Sequence, residues 1–71
     1  METKISRPED IGAAIRARRR ALGYTQGEVA GACGMSTRLI SELERGRPTV
    51  SFDKVLRVVR RLGMDLYARE R

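Results

Sequence analysis

The chain has no histidine, no tryptophan and a single cysteine, Cys33, among its 71 residues. One thiol cannot form an internal disulfide, and without histidine or a thiol cluster the usual zinc ligand sets cannot be assembled. Histidine is also the commonest general base, and no nucleophile stands beside another base at triad-like spacing. Glycine-rich phosphate loops are absent as well, so catalysis has little to stand on. These absences lead us to expect no enzyme activity, no metal and no cofactor. No apolar run approaches the ~20 residues needed to span a bilayer, and no secretory-type apolar segment follows Met1.

What is present is short and basic. A chain of this length supports one domain, and its thin core calls for reinforcement. With disulfides and metals set aside, a second copy of the chain is the expected staple. Fifteen Lys and Arg stand against nine Asp and Glu, a formal charge of +6 carried mostly by arginine. That balance suits a polyanionic partner, nucleic acid or an anionic membrane surface, although a merely soluble basic protein has the same composition.

Capping residues and glycines divide the chain into helical segments. Residues 1–5 read as a flexible start. Ser6, Pro8 and Glu9 resemble a helix start, after which Ile11, Ala14, Ile15 and Leu22 recur at helical spacing until Gly23. Thr25-Gln26-Gly27-Glu28 has the form of a capping box, and Val29, Ala30 and Cys33 give that second helix its buried side until Gly34. A new cap follows at Ser36 or Thr37. The third helix, about Thr37 to Arg45, separates into an inward set (Leu39, Ile40, Leu43) and an outward set (Thr37, Arg38, Ser41, Arg45). Gly46 ends it, Pro48 imposes an extended link, and Ser51 caps a fourth helix with Phe52, Val55, Leu56, Val59 and Leu62 on its apolar stripe, closed by Gly63. Residues 6–63 therefore form one helical domain. Residues 64–71 alternate at period two and read as a strand, which has no partner within the chain and would pair with its symmetry mate through Met64, Leu66, Tyr67 and Ala68.

Two short helices joined by a tight glycine-containing turn form the supersecondary unit that reads DNA, with the second helix in the major groove. Thr37, Arg38 and Ser41 would reach base edges, and Arg38 could donate two parallel hydrogen bonds to guanine. Ser36, at the N-terminus of the third helix, is a further DNA-binding candidate. Gln26, Arg45, Arg47 and the free N–H groups at the helix starts would contact phosphate and set register.

Three strings carry a resemblance: Ile15-Arg16-x-x-Arg19-x-x-x-Gly23-Tyr24-Thr25-Gln26-x-Glu28-Val29-Ala30, then Gly34-Met35-Ser36, then Ile40-Ser41-x-x-Glu44-x-Gly46. Together they resemble the phage-repressor (Xre/Cro) helix-turn-helix family over most of the chain. Gly46-Arg47-Pro48-Thr49-Val50 and Leu62-Gly63-Met64-Asp65-Leu66 are similar to its HipB-like antitoxin group. The resemblance implies an all-α, lambda-repressor-like domain of four to five helices, with a short C-terminal strand pairing across a homodimer. It implies that Gln26 clamps a phosphate, that Thr37, Arg38 and Ser41 face bases, and that Arg19 and Glu44 form a buried ion pair between the first and third helices. It further implies a cytoplasmic, nucleoid-associated repressor of its own operon on a palindromic double-stranded DNA operator, with a HipA-type serine/threonine kinase toxin as partner. A free-standing phage-type regulator and a protein-interaction module of the same fold are the alternatives.

Other signals admit plainer readings. Arg16, Arg18 and Arg20 are phosphate contacts or a solvated face, and Arg57, Arg60 and Arg61 form a second basic cluster that contacts a partner or the neighbouring subunit or is simply solvated. Cys33 is expected as a small hydrophobe rather than a redox sensor, and Met35 and Met64 as core plugs.

Overall fold

Helix starts and stops follow the local chemistry closely. In the computed structural model, which describes residues 2–47 and 50–71, the chain forms α1 (Pro8–Ala21), α2 (Gln26–Cys33), α3 (Thr37–Glu44) and α4 (Phe52–Arg61). The link at Pro48 and Thr49 lies outside the described residues. α2 starts with the reciprocal box expected of it: the Glu28 N–H donates to the Thr25 hydroxyl at 3.1 Å, and the Thr25 N–H donates to Glu28 Oε1 at 2.9 Å. α3 is capped by Ser36, whose hydroxyl accepts from the Leu39 N–H at 3.1 Å.

α1 differs from the expectation at its start. Pro8 occupies the first turn, but the capping position falls to Arg7 rather than Ser6. The oxygen that organises this end belongs to Asp10, whose Oδ2 accepts from the Ser6 N–H at 2.9 Å and the Arg7 N–H at 3.0 Å. A carboxylate is a stronger acceptor than a hydroxyl and also complements the positive end of the helix. Ser51 precedes α4 in extended conformation but makes no side-chain capping bond.

The core contains Ile15 of α1, Val29, Ala30 and Cys33 of α2, Ile40 and Leu43 of α3, and Val55, Val58, Val59 and Leu62 from α4 and its end, with Ile11, Met35, Val50 and Met64 packed around it. α3 packs against both α2 and α1, and α4 closes the far side of α2. Two expected core residues are exposed. α1 stops at Ala21 and the chain turns at Gly23, φ +78°, which leaves Leu22 40% exposed. Phe52, 60% exposed, stands in the first turn of α4 at the edge of a shallow apolar cleft shared with Ile5, Pro8 and Ile11. The stripe of α4 passes instead through Val58, which is fully buried.

α1 and α3 approach each other through Gly12. A β-carbon there would lie 2.5 Å from the Glu44 carbonyl oxygen and 2.6 Å from that of Leu43, so only glycine fits this crossing.

Among the described residues there is no strand, and residues 64–71 are neither helical nor laddered. A strand needs a neighbour to satisfy its backbone groups, and the alternating pattern alone does not supply one. Met64 tucks against the core, while Leu66, Tyr67 and Ala68 face outward. Arg69 reaches back to the carboxylate of Glu2 at 2.9 and 3.0 Å, which brings the two chain ends together on the surface.

Candidate nucleic-acid interface

The turn between α2 and α3 is set by Gly34 in the left-handed conformation, φ +67°. The Met35 N–H then donates back to the Ala30 carbonyl at 2.9 Å, the closure expected of a glycine-terminated helix. This turn brings the first turns of α2 and α3 side by side: a β-carbon on Gly27 would lie 3.7 Å from the Thr37 hydroxyl. Gln26 and the start of α3 therefore belong to one surface.

Across that surface Thr37 and Arg38 are exposed, as are Ser36 and Arg45, while Ser41 is half-buried. Arg47 follows α3 and is also exposed. The side chain of Arg38 is 88% exposed, and its Nε donates to Glu42 Oε1 at 3.3 Å, one turn along the same helix. Sequence reasoning does not single out Glu42, although its position four residues after Arg38 is a legible charge-pair spacing.

Beneath the surface lies a hydrogen-bonded cluster centred on Glu44. Arg19 Nε donates to Glu44 Oε2 at 2.6 Å, and Nη2 donates to Oε1 at 3.0 Å. The third nitrogen of the fork donates to the Tyr24 carbonyl at 2.9 Å. Gln26 Nε2 donates to Glu44 Oε1 at 3.1 Å. Both charged side chains are largely withdrawn from water, 10% and 3% exposed for Arg19 and Glu44. Burial alone would raise the Glu44 carboxyl. The hydrogen bonds from Arg19 and Gln26, with the charges of Arg19 and Arg16, outweigh it and hold the group below its ordinary value of 4.5. The bond to Glu44 likewise keeps the Arg19 guanidinium above its usual range despite burial. The cluster ties α1, the start of α2 and the end of α3 into one unit. Its effect on the surface is specific: one N–H of the Gln26 amide is committed to Glu44, and the second remains to donate elsewhere.

Two arginines of the basic runs are structural caps. Arg18 Nε donates to the Leu62 carbonyl at 3.0 Å, and Arg57 Nη1 donates to the Cys33 carbonyl at 3.4 Å, at the C-terminal ends of α4 and α2. Cys33 itself is buried, and burial pushes its thiol up against the opposing charges of Arg61 and Arg57, which disfavours the reactive thiolate.

The family model described as a helix-turn-helix domain matches residues 10–71. The chain belongs to the helix-turn-helix domain family. A relative of this helix-turn-helix protein in Sinorhizobium fredii (strain NBRC 101917 / NGR234), the uncharacterized HTH-type transcriptional regulator y4mF, is 41% identical over 66 residues, covering 93% of this chain and 87% of the relative. The crystal structure of the clp gene regulator ClgR from C. glutamicum is 39% identical and superimposes with a TM-score of 0.74 over 87% of this chain and 80% of that one. The fold is also that of HipB: the HipB–O4 20mer complex gives a TM-score of 0.88 at 22% identity, covering 97% of this chain and 97% of that chain. The HipA–HipB–O2–O3 complex gives the same score, 0.88 at 22% identity, with 97% of each chain covered. Among the described residues no cluster of His, Cys, Asp or Glu has the arrangement of a metal site, and no helix is long and apolar enough to cross a membrane.

Proposed function

We propose that this helix-turn-helix protein is a sequence-specific repressor that inserts α3 into the major groove of duplex DNA. The observation that carries the reading is the polar face of α3, with Thr37 and Arg38 exposed and Ser41 half-buried, beside the first turn of α2, where Gln26 is held by the buried Glu44. In this reading Arg38 donates to guanine, Thr37 and Ser41 contact neighbouring base edges, and Gln26, Ser36, Arg45 and Arg47 take phosphates that fix register. The regulators y4mF and ClgR support the regulatory class. A homodimer would place two copies of α3 in successive major grooves of a palindromic operator about 34 Å apart. Pairing of Met64, Leu66, Tyr67 and Ala68 with the same residues of a second copy would complete the strand that one chain cannot form.

The finer role we infer is that of an antitoxin acting in the cytoplasm, on the nucleoid. HipB shares the fold and has been solved in complex with an O4 20mer and with HipA. A HipA-type serine/threonine kinase is therefore the partner to seek, and a kinase-like reading frame next to this one would favour that role over a free-standing phage-type regulator.

The test is a titration of the DNA upstream of the protein's own reading frame against a scrambled duplex of equal length. Wild type should prefer the upstream duplex. Arg38→Ala should reduce specific affinity by about 5- to 150-fold and relax the preference, whereas Gln26→Ala should weaken both duplexes about equally. Equal, weak binding of both duplexes by wild type would favour a protein-interaction module instead. Sedimentation of a chain lacking residues 64–71 tests the dimer, which should be lost while the helices persist.

A further inference from the structure

We infer that Glu42 is a specificity-determining positioning residue, which holds the guanidinium of Arg38 in the geometry that reads guanine; the inference rests on the proposed base-reading role of α3.

Of the two acids on α3, Glu44 is buried in the Arg19 network, while Glu42 lies on the same surface as Arg38. A carboxylate on a surface that approaches a polyanion opposes binding, so electrostatic attraction does not explain it. The geometry gives it a different task. Glu42 engages Arg38 through Nε alone, at 3.3 Å, and no other partner takes the guanidinium among the described residues. The two terminal nitrogens, Nη1 and Nη2, remain as an end-on fork, the pair of donors that guanine O6 and N7 accept.

The two side chains differ in freedom. Arg38 is 88% exposed, so alone it would sample many rotamers and reach phosphate as readily as a base, while Glu42 is only 27% exposed and is the firmer of the two. Ordering a long side chain on binding costs about 0.5–1.5 kcal/mol, equivalent to a factor of roughly 2 to 12 in affinity. A tether at Nε removes part of that cost where the fork meets guanine. The same carboxylate disfavours a phosphate at this position, so Glu42 weakens non-specific binding while sharpening the specific contact.

The experiment selects preferred sites for the full-length protein from a pool of random duplexes. Affinities are then measured on the best site, on the same site with 7-deazaguanine at the guanine assigned to Arg38, and on a scrambled duplex. In wild type, removing the N7 acceptor should cost affinity, and Arg38→Ala should abolish that penalty. Glu42→Ala should lower the ratio of specific to scrambled affinity by about 2- to 5-fold, the share an exposed ion pair can supply, and shrink the 7-deazaguanine penalty, with scrambled binding unchanged or tighter. Glu42→Gln, which keeps an acceptor for Nε, should retain most of the discrimination and also controls for folding.

If Glu42→Ala keeps the wild-type ratio and penalty while Arg38→Ala loses them, the role of Glu42 is refuted and base reading by Arg38 stands. Equal weakening of matched and scrambled duplexes by Glu42→Ala likewise overturns it. If Arg38→Ala leaves the selected site unchanged, the reading of α3 fails and this inference with it.

Discussion

Replacing Glu44 with alanine probes the network on which both the fold and the proposed interface depend. The substitution removes the acceptor for two nitrogens of Arg19 and for the amide of Gln26, and leaves a guanidinium that is about 10% exposed with only the Tyr24 carbonyl as partner. Stranding one member of a buried pair typically costs ~3–5 kcal/mol. In a domain this thin the pair is one side-chain layer from water, which can relax around the abandoned charge, so the low end applies, about 3 kcal/mol. Against a total stability of roughly 4–11 kcal/mol for a domain of this length, that is a large fraction. The thermal midpoint should fall by about 12–24 °C. Urea denaturation followed by circular dichroism measures the loss, at one fixed protein concentration because self-association of any chain makes its apparent stability depend on concentration. The double variant Arg19→Met/Glu44→Leu removes both charges together and should return to within about 1 kcal/mol of wild type. Its DNA affinity should remain reduced, because Gln26 still lacks its acceptor. A cost below about 1 kcal/mol for Glu44→Ala, or recovery of DNA binding in the double variant, would refute the coupling of the buried pair to the interface.

Gly12→Ala should destabilise the domain by about 1–3 kcal/mol, since the new β-carbon meets two backbone carbonyls of α3 that cannot rotate away; urea midpoints at constant slope measure it. Gly31→Ala should act oppositely and add roughly 0.5–1 kcal/mol, because a β-carbon there meets nothing within 4 Å and α2 gains helical propensity. Acid should weaken the fold through Glu44. Its carboxyl lies lower when folded than its ordinary value of 4.5, so its contribution is complete above that value and disappears as pH falls through the depressed one. In Glu44→Ala the loss of stability below pH 4.5 should be correspondingly shallower when thermal midpoints are compared across pH.

The elements legible in sequence are those fixed by neighbours a few residues apart. Thr25 with Glu28, Ser36 with Leu39, and Gly34 each act within one turn, so their spacing carries their meaning. Sequence reasoning misplaces the start of α1 by one residue because Ser6 and Asp10 compete for the same role, and the stronger acceptor wins. Phe52 and Leu22 fit a helical stripe by counting, yet burial depends on where the partner helices end, which periodicity does not contain. The closeness of Gly12 to α3 and the bond from Gln26 to Glu44 are tertiary facts of the same kind. The ion pair between Arg19 and Glu44 is anticipated only through the family resemblance, since nothing local to either residue specifies a partner 25 residues away.

Net charge gives a poor map of where this protein would meet DNA, and the arginines show why. Arg19 is engaged by Glu44, and Arg18 and Arg57 are committed to the carbonyls that end α4 and α2. Arg7 lies beside Glu9 and Asp10, and Arg69 is paired with Glu2. Arg38, paired with Glu42 through Nε alone, keeps its terminal nitrogens in solvent at the start of α3, with Arg45 and Arg47 exposed beyond its end. The electrostatic footprint is thus set by which guanidinium groups the fold leaves facing solvent. Arg16, Arg20, Arg60, Arg61 and Arg71 are exposed elsewhere on the chain, so what distinguishes the α2–α3 surface is the pair of helix N-termini, which add partial positive charge of their own. Glu42 then opposes the attraction beside Arg38, the arginine whose proposed target is a base rather than a phosphate.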